Sequence, residues 1–330
     1  VANSPCILIT ADPETIVVRE KPMKIDVRHL LASILLVVAA AFADAASESL
    51  TSFAPPGPLQ QKRTYQRYVV KTYRFDGSYG IIWNGVPMDC DGAFEIIRNG
   101  VRVYAAYGGN FSIGDLSSQN LPLRIGSNVT GNGQPNLLVW ENTLGAHCCT
   151  NVHLFEIGDQ FRFIQTIEVG DGGGIGFQDV DNDTALEFRM LDWTFAYWNT
   201  SFAESPSPEV ILKYRDGKYR MAVDLMRKPR LTQNALNRIV AEIRSGPAWG
   251  SSPLGGSPPT GGPGLPPVML WSKMLNLIYA GNATQAWELV RLTWPTRLAG
   301  RQRFLREFKT RLRKSPFWND LLVLNGQNAF

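Results

Sequence analysis

The chain has 330 residues, 44% of them hydrophobic and 19% charged, which excludes a disordered tail and allows one large domain or two ordinary ones with a real core. The net charge of +4 is a sum of opposites: residues 46–226 carry 14 Lys+Arg against 20 Asp+Glu, a net of −6, and residues 227–330 carry 15 against 4, a net of +11. Such halves either dock on each other or offer the basic half to an anionic partner.

In chain order, the first feature is a leader. Met23 is followed by Lys24 and Arg28, then by the apolar run Leu30 to Phe42, then by the small-x-small site Ala43-Asp44-Ala45. That order predicts a bacterial secretory signal peptide over 23–45, with residues 1–22 as an extension ahead of the true start. The run is too short to span a bilayer comfortably. The mature protein is then periplasmic or secreted, begins near Ala46, and has no nucleic-acid partner. It keeps Cys90, Cys148 and Cys149, which an oxidising compartment turns into one disulfide and one leftover thiol. A vicinal Cys148–Cys149 ring and a bridge from either one to Cys90 are both open.

Residues 46–64, with Pro55-Pro56-Gly57-Pro58, read as a linker. From residue 65 to 226 the pattern is strand and tight turn. Ala93–Arg98 and Val101–Tyr107 flank Asn99-Gly100, Val152–Ile157 and Phe161–Val169 flank Gly158-Asp159, and Glu209–Arg215 and Lys218–Val223 flank Asp216-Gly217. Such dipeptides tolerate the positive φ that two-residue hairpin turns require. The expected fold is mainly β, either propeller-like or a sandwich of antiparallel hairpins, with a small C-terminal α-helical domain.

That helical domain spans residues 227–330. Thr232 to Arg244 places Leu236, Ile239, Val240 and Ile243 on one helical face. Residues 246–267 are a Gly/Pro/Ser stretch, read as a flexible connector. Val268–Tyr279 and Ala283–Leu292 form a helical hairpin around Gly281-Asn282, and a further helix runs from Arg301 to Arg313, stopped by Pro316.

Two stretches inside the β region, 51 residues apart, share one frame. The second, residues 179–187, puts Asp179, Asp181, Asp183 and Glu187 at positions 1, 3, 5 and 9. Carboxylates so spaced can wrap a calcium ion, which prefers six to eight hard oxygen ligands. The first, residues 128–136, has Asn128, Thr130, Asn132 and Asn136 at those positions and holds its turn by side-chain hydrogen bonds without metal. Position 6 favours Gly; the first loop has Gly133 and the second Thr184, which is penalised by about 1–2 kcal/mol if its φ is positive. Asn182 is the alternative place for the turn.

The paired loops resemble the FG-GAP/VCBS-type repeats of secreted and cell-surface β-propellers, whose D-x-D-x-D-G-x-x-[DE] loops bind calcium between strands. The resemblance covers the loops and the strands that follow them. It implies a structural calcium held by Asp179, Asp181, Asp183 and Glu187. The wider sequence around Cys148 and Trp193 is similar to uncharacterised bacterial exported proteins, which implies no activity.

Three further features bear on function. His147, Cys148, Cys149 and His153 are the one cluster of soft ligands, but adjacent cysteines on a strand point to opposite faces and do not readily share a zinc ion. No G-x-S-x-G or H-E-x-x-H motif is present. Residues 193–202 read as an aromatic strand, with Trp193, Phe195 and Tyr197 on one face and Trp198 on the other: a packed core strand, or a stacking surface for sugar rings or a peptide. The helix 301–313 is basic opposite an apolar face of Phe304, Leu305, Phe308 and Leu312, which suits an anionic surface or a docked position. The leading expectation is an exported non-enzymatic binding module with a structural calcium loop, contacting a protein or an envelope polysaccharide. Its rivals are an envelope-polymer hydrolase using acidic residues, and an assembly protein docking through its basic helical tail.

Overall fold

The computed structural model describes residues 8–10, 53–83, 86–114, 123–145, 148–171, 176–246, 249 and 266–330. The leader at 23–45, His147 and most of the connector 246–267 lie outside the described residues. The chain divides into two compact units, residues 1–172 and 173–330, so the last sheet and the helices share a unit.

The first unit holds two antiparallel sheets. One contains β1 (Leu8–Thr10), β2 (Leu59–Tyr65), β3 (Tyr68–Trp83), β4 (Val86–Arg98) and β5 (Val101–Gly108), in the order β1-β5-β4-β3-β2. The other is a meander of β6 (Asn110–Ile113), β7 (Asn136–Gly145), β8 (Cys148–Ile157) and β9 (Phe161–Gly170). Alternation along each strand turns every second residue to one face. Tyr68, Val70, Phe94, Ile96, Tyr104 and Ala106 of the first sheet thus pack on Phe111, Ile113, Leu137, Val139, Phe155 and Ile157 of the second. Phe94 and Phe111 meet with ring centroids 4.8 Å apart, Tyr104 and Phe155 at 4.7 Å. Burying each such side chain stabilises the fold by about 1.5–3 kcal/mol.

Two sequence expectations change in this unit. The segment read as a linker is packed from its first described residue: Phe53 is buried against Tyr107 and Tyr73, and strand β2 has begun by Leu59. The turn after β8 takes three residues, 158–160, and Gly158 and Asp159 are absent from the positive-φ positions. Asn99 (φ 50°) and Gly100 (φ 82°) do form the expected left-handed pair between β4 and β5.

The second unit opens with a third meander: β10 (Gly176–Gln178), β11 (Glu187–Leu191), β12 (Glu209–Arg215) and β13 (Lys218–Met221). Asp216 (φ 51°) and Gly217 (φ 81°) make its hairpin turn. Six α-helices follow among the described residues: α1 (Val223–Met226), α2 (Gln233–Ser245), α3 (Val268–Tyr279), α4 (Ala283–Thr293), α5 (Arg301–Leu312) and α6 (Trp318–Asn325). Thr232 caps α2, its side chain accepting from the Ala235 N–H at 3.2 Å. Gly281 (φ 79°) turns the chain between α3 and α4. The chain is mainly antiparallel β with a C-terminal helical region, as its turn and periodicity signals indicate. Among the described residues no helix is long and apolar enough to cross a membrane.

Candidate functional site

The repeated loops occupy the same place in their sheets, each joining the first strand of a meander to the second. Their backbones match at the two sharp-turn positions. Position 4 has positive φ in both, Gly131 at 71° and Asn182 at 61°, and so does position 6, Gly133 at 82° and Thr184 at 71°. Both alternatives offered by the sequence for the sharp turn are therefore used together.

The internal hydrogen bonds also match. Position 1 accepts from the N–H of position 6: Asn128 from Gly133 and Asp179 from Thr184, both at 3.3 Å. Position 5 accepts from the N–H of position 7: Asn132 from Gln134 at 2.9 Å and Asp183 from Ala185 at 3.0 Å. Position 9 accepts from the N–H of position 2: Asn136 from Val129 at 2.9 Å and Glu187 from Val180 at 2.8 Å. An amide oxygen and a carboxylate oxygen do this equally well, which is why one frame tolerates both residue sets.

In the second loop Asp179, Asp181 and Glu187 each offer an oxygen within 4.8 Å of the others. These are hard donors suited to a calcium ion in type and spacing. Glu187 is fully buried, and Asp179 Oδ1 is a buried oxygen without a hydrogen-bond partner. The cluster also contains a cation of its own. The buried Lys213 of β12 donates from Nζ to Asp181 and to Asp183 Oδ2 at 2.5 Å, and lies 3.3 Å from Glu187 Oε1. Burial alone would lower the Lys213 pKa, but the carboxylates of Asp181, Asp183 and Glu187 around its ammonium hold it above the ordinary lysine value. The Asp183 carboxyl is lowered in turn, chiefly by its hydrogen bond with Lys213. Three of the four expected ligands thus already share an ammonium.

The aromatic segment after β11 is a series of turns rather than a strand. Ala196 N–H donates to Trp193 O at 2.9 Å and Trp198 N–H to Phe195 O at 3.1 Å, while Tyr197 (φ 57°) and Asn199 (φ 55°) are left-handed. Regular alternation in the sequence imitates a strand that this backbone does not form. The four aromatics separate into two groups. Phe195 is buried, 5.0 Å from the Phe308 ring, and Trp198 packs on Trp271, Phe304 and Phe308. Trp193 stacks on Phe202 at 5.1 Å, and Tyr197, 56% exposed, meets Phe202 at 5.4 Å.

This aromatic loop is braced from several sides. Tyr197 N–H donates to Ser205 Oγ at 2.9 Å, and that hydroxyl donates to Ser201 O at 2.8 Å. Arg311 on α5 donates to Thr194 O at 2.5 Å and Ala196 O at 3.3 Å. The apolar side of α5 is buried through Phe304, Phe308 and Leu312, and Lys309 and Arg313 lie over Trp287 and Trp318. Arg301, Arg306 and Lys314 remain exposed, so α5 meets solvent with charge and the interior with its rings.

Cys90 and Cys149 are both disulfide-bonded; the Cys148 side chain and His147 lie outside what the structure describes. His153 is held by polar partners on the two flanking strands. It is buried between Thr166 Oγ1, 2.9 Å from its Nδ1, and Glu141 Oε2, 3.2 Å from its Nε2. Glu141 also accepts from Gly109 N–H at 2.9 Å and Asn151 Nδ2 at 2.8 Å. This hydroxyl–imidazole–carboxylate row is a saturated ladder across β7, β8 and β9, with the Phe94 and Phe111 rings against the imidazole.

No family model matches the sequence, and no solved structure matches it. A stretch of 106 residues is 31% identical to an uncharacterised protein, y4bJ, of Sinorhizobium fredii. The match covers 32% of this chain and 16% of that protein, so the chain spans well under a fifth of the relative's length.

Proposed function

We propose that this chain is an exported binding module without catalytic chemistry, and that the loop 193–205 presents its contact surface to an envelope polysaccharide. The observation that carries this reading is Tyr197. It is a large aromatic, 56% exposed, in a left-handed backbone conformation that costs an L-residue about 1–2 kcal/mol. Such strain persists only where surrounding structure imposes it, and it concentrates at ligand-contacting sites. Here Ser205 and Arg311 impose it, and Trp193 and Phe202 extend the ring surface beneath. An exposed ring on a rigid loop can receive the apolar face of a sugar without ordering cost at the moment of binding. The charged clusters favour a non-catalytic reading: Glu95, Glu141, Glu187 and Asp192 are buried, and each is hydrogen-bonded or ion-paired within the chain.

Sedimentation with insoluble cell-wall polysaccharide tests it. The wild-type protein co-sediments, and Tyr197→Ser lowers affinity roughly tenfold, about 1.4 kcal/mol, with an unchanged melting temperature. Equal sedimentation of both proteins, or none of the wild type, rejects the proposal. Export is tested separately by sequencing the N-terminus of periplasmic protein, expected near Ala46, so that the exported form lacks strand β1 and keeps β5 as the edge of its sheet.

A further inference from the structure

Lys213 lies one step along the β11–β12 ladder from the Phe188–Leu212 pair, which sets it opposite Glu187. In the sister loop the same ladder position pairs Asn136 with Glu156. Glu156 reaches back to its loop as Lys213 does, accepting from Asn132 Nδ2 at 3.0 Å, and is neutralised from outside by Arg162 at 2.9 Å. The two copies are therefore charge-inverted across one cross-strand position. A neutral loop faces a carboxylate, and an acidic loop faces an ammonium.

We infer that Lys213 is the resident cation of the loop 179–187, a tethered ammonium that takes the place a bound metal ion would have in a loop of this frame. Two of the three N–H donors of the ammonium bond Asp181 and Asp183, and the buried Glu187 Oε1, itself without a hydrogen bond, lies 3.3 Å from Nζ as an ion pair. Its side chain is 10% exposed, so the charge is sustained by these partners and not by water. Calcium would need the same oxygens, and would have to expel a cation held by the adjacent strand, whose local concentration far exceeds that of a dissolved metal. The frame is thus shared by the two copies, and in the acidic one a side chain supplies the cation. Asp179 stays outside the ammonium's reach, its Oδ1 unpartnered and its Oδ2 on Thr184 N–H. Removing Lys213 accordingly exposes a four-carboxylate loop, a latent calcium site.

Thermal melts of the full chain, in EDTA and in millimolar calcium chloride, decide this. The wild-type melting temperature is expected to be the same in both. Lys213→Ala is expected to melt roughly 5 °C or more lower in EDTA and to recover in calcium. A wild-type protein stabilised by calcium overturns the inference, as does a Lys213→Ala protein that is undiminished in EDTA or unrestored by calcium. Reductive methylation of the wild type gives a readout that does not depend on the variant folding. Lys213 should resist modification relative to exposed Lys218 with and without calcium. Modification of Lys213 at the Lys218 rate in either condition also overturns it.

Discussion

Thr184 adopts the left-handed backbone of Gly133, its counterpart in the sister loop, with φ of 71° against 82°. The side chain of Thr184 is exposed and its N–H is held by Asp179 Oδ2, so the strained conformation is imposed by the loop's hydrogen bonds. A β-branched residue there loses about 1–2 kcal/mol to sterics, and glycine removes that cost while adding about 0.4–1 kcal/mol of unfolded-state entropy. Thr184→Gly should therefore stabilise the protein by about 0.5–1 kcal/mol in urea denaturation. A destabilised variant would show that the threonine is held by a contact other than its backbone.

Much of the loop geometry is legible from sequence, because the demands are local. Alternating Asn and Asp predict the side-chain bonds, and Gly at position 6 predicts the turn. Lys213 is not legible, since it lies on β12 and meets Glu187 only once the β11–β12 register is set. The hairpin turns at Asn99-Gly100 and Asp216-Gly217 show themselves because positive φ restricts residue type, whereas the three-residue turn at 158–160 imposes no such restriction. The stretch 193–202 misleads for the opposite reason: its alternation of rings is real, but Tyr197 and Asn199 break the strand. The short helix α6 follows Pro316, which reads as a stop, and its start rests on a turn in which Trp318 N–H donates to Ser315 O at 3.1 Å.

The neutral loop offers a matching prediction. Asn136 is buried, and its Oδ1 accepts from Val129 N–H, Thr130 N–H and Thr130 Oγ1 at 2.9, 3.2 and 3.2 Å. Asn136→Ala leaves the two backbone N–H groups without an acceptor, while the Thr130 hydroxyl keeps Asn132 Oδ1 at 2.9 Å, and should cost about 2–3 kcal/mol. Asn136→Asp keeps the acceptor and should cost less, although it sets a second carboxylate opposite Glu156. Chemical denaturation of the two variants checks the order; equal losses would mean that the acceptor is not what matters.

Acid should weaken the protein through two buried carboxyls. Burial pushes Glu95 up, but hydrogen bonds from Tyr73, Arg102 and Lys71 outweigh it, and its pKa is lowered from 4.5. Glu141 follows the same pattern, with burial opposed by hydrogen bonds from His153, Asn151 and the Gly109 N–H. A carboxyl with a lowered folded pKa contributes stability that is full above its unfolded value and is lost as pH falls through the folded one. Melting temperature should thus decline as pH drops below about 4.5. Glu141→Gln should be less stable at neutral pH and show a shallower acid decline. Parallel wild-type and variant curves would remove Glu141 from the explanation.

Asp192 is the polar centre of the second unit. It is buried, and its Oδ1 accepts from Thr194 N–H at 2.7 Å. Its Oδ2 accepts from Ser315 Oγ at 2.6 Å and from the hydroxyl of Tyr279. One carboxylate therefore joins the aromatic loop, α3 and the turn between α5 and α6. Each donor belongs to a different stretch of chain, so no local rearrangement can supply three replacements. Asp192→Ala strands the Thr194 N–H and leaves the Tyr279 and Ser315 hydroxyls only each other, 3.3 Å apart, and should cost about 3 kcal/mol or more. Asp192→Asn keeps one acceptor oxygen but turns an amide N–H toward a donor, and should fall between. Tyr279→Phe removes a single bond and leaves the other two, so about 1–2 kcal/mol is expected. Because Thr194 and Ala196 also take the Arg311 bonds that brace Tyr197, Asp192→Ala should loosen the aromatic loop as well as the helices. Hydrogen exchange at the Thr194, Ala196 and Tyr197 amides should then accelerate in Asp192→Ala and stay slow in Tyr279→Phe. If those amides exchange at wild-type rates in Asp192→Ala, the carboxylate supports the helices alone and Arg311 suffices to hold the loop.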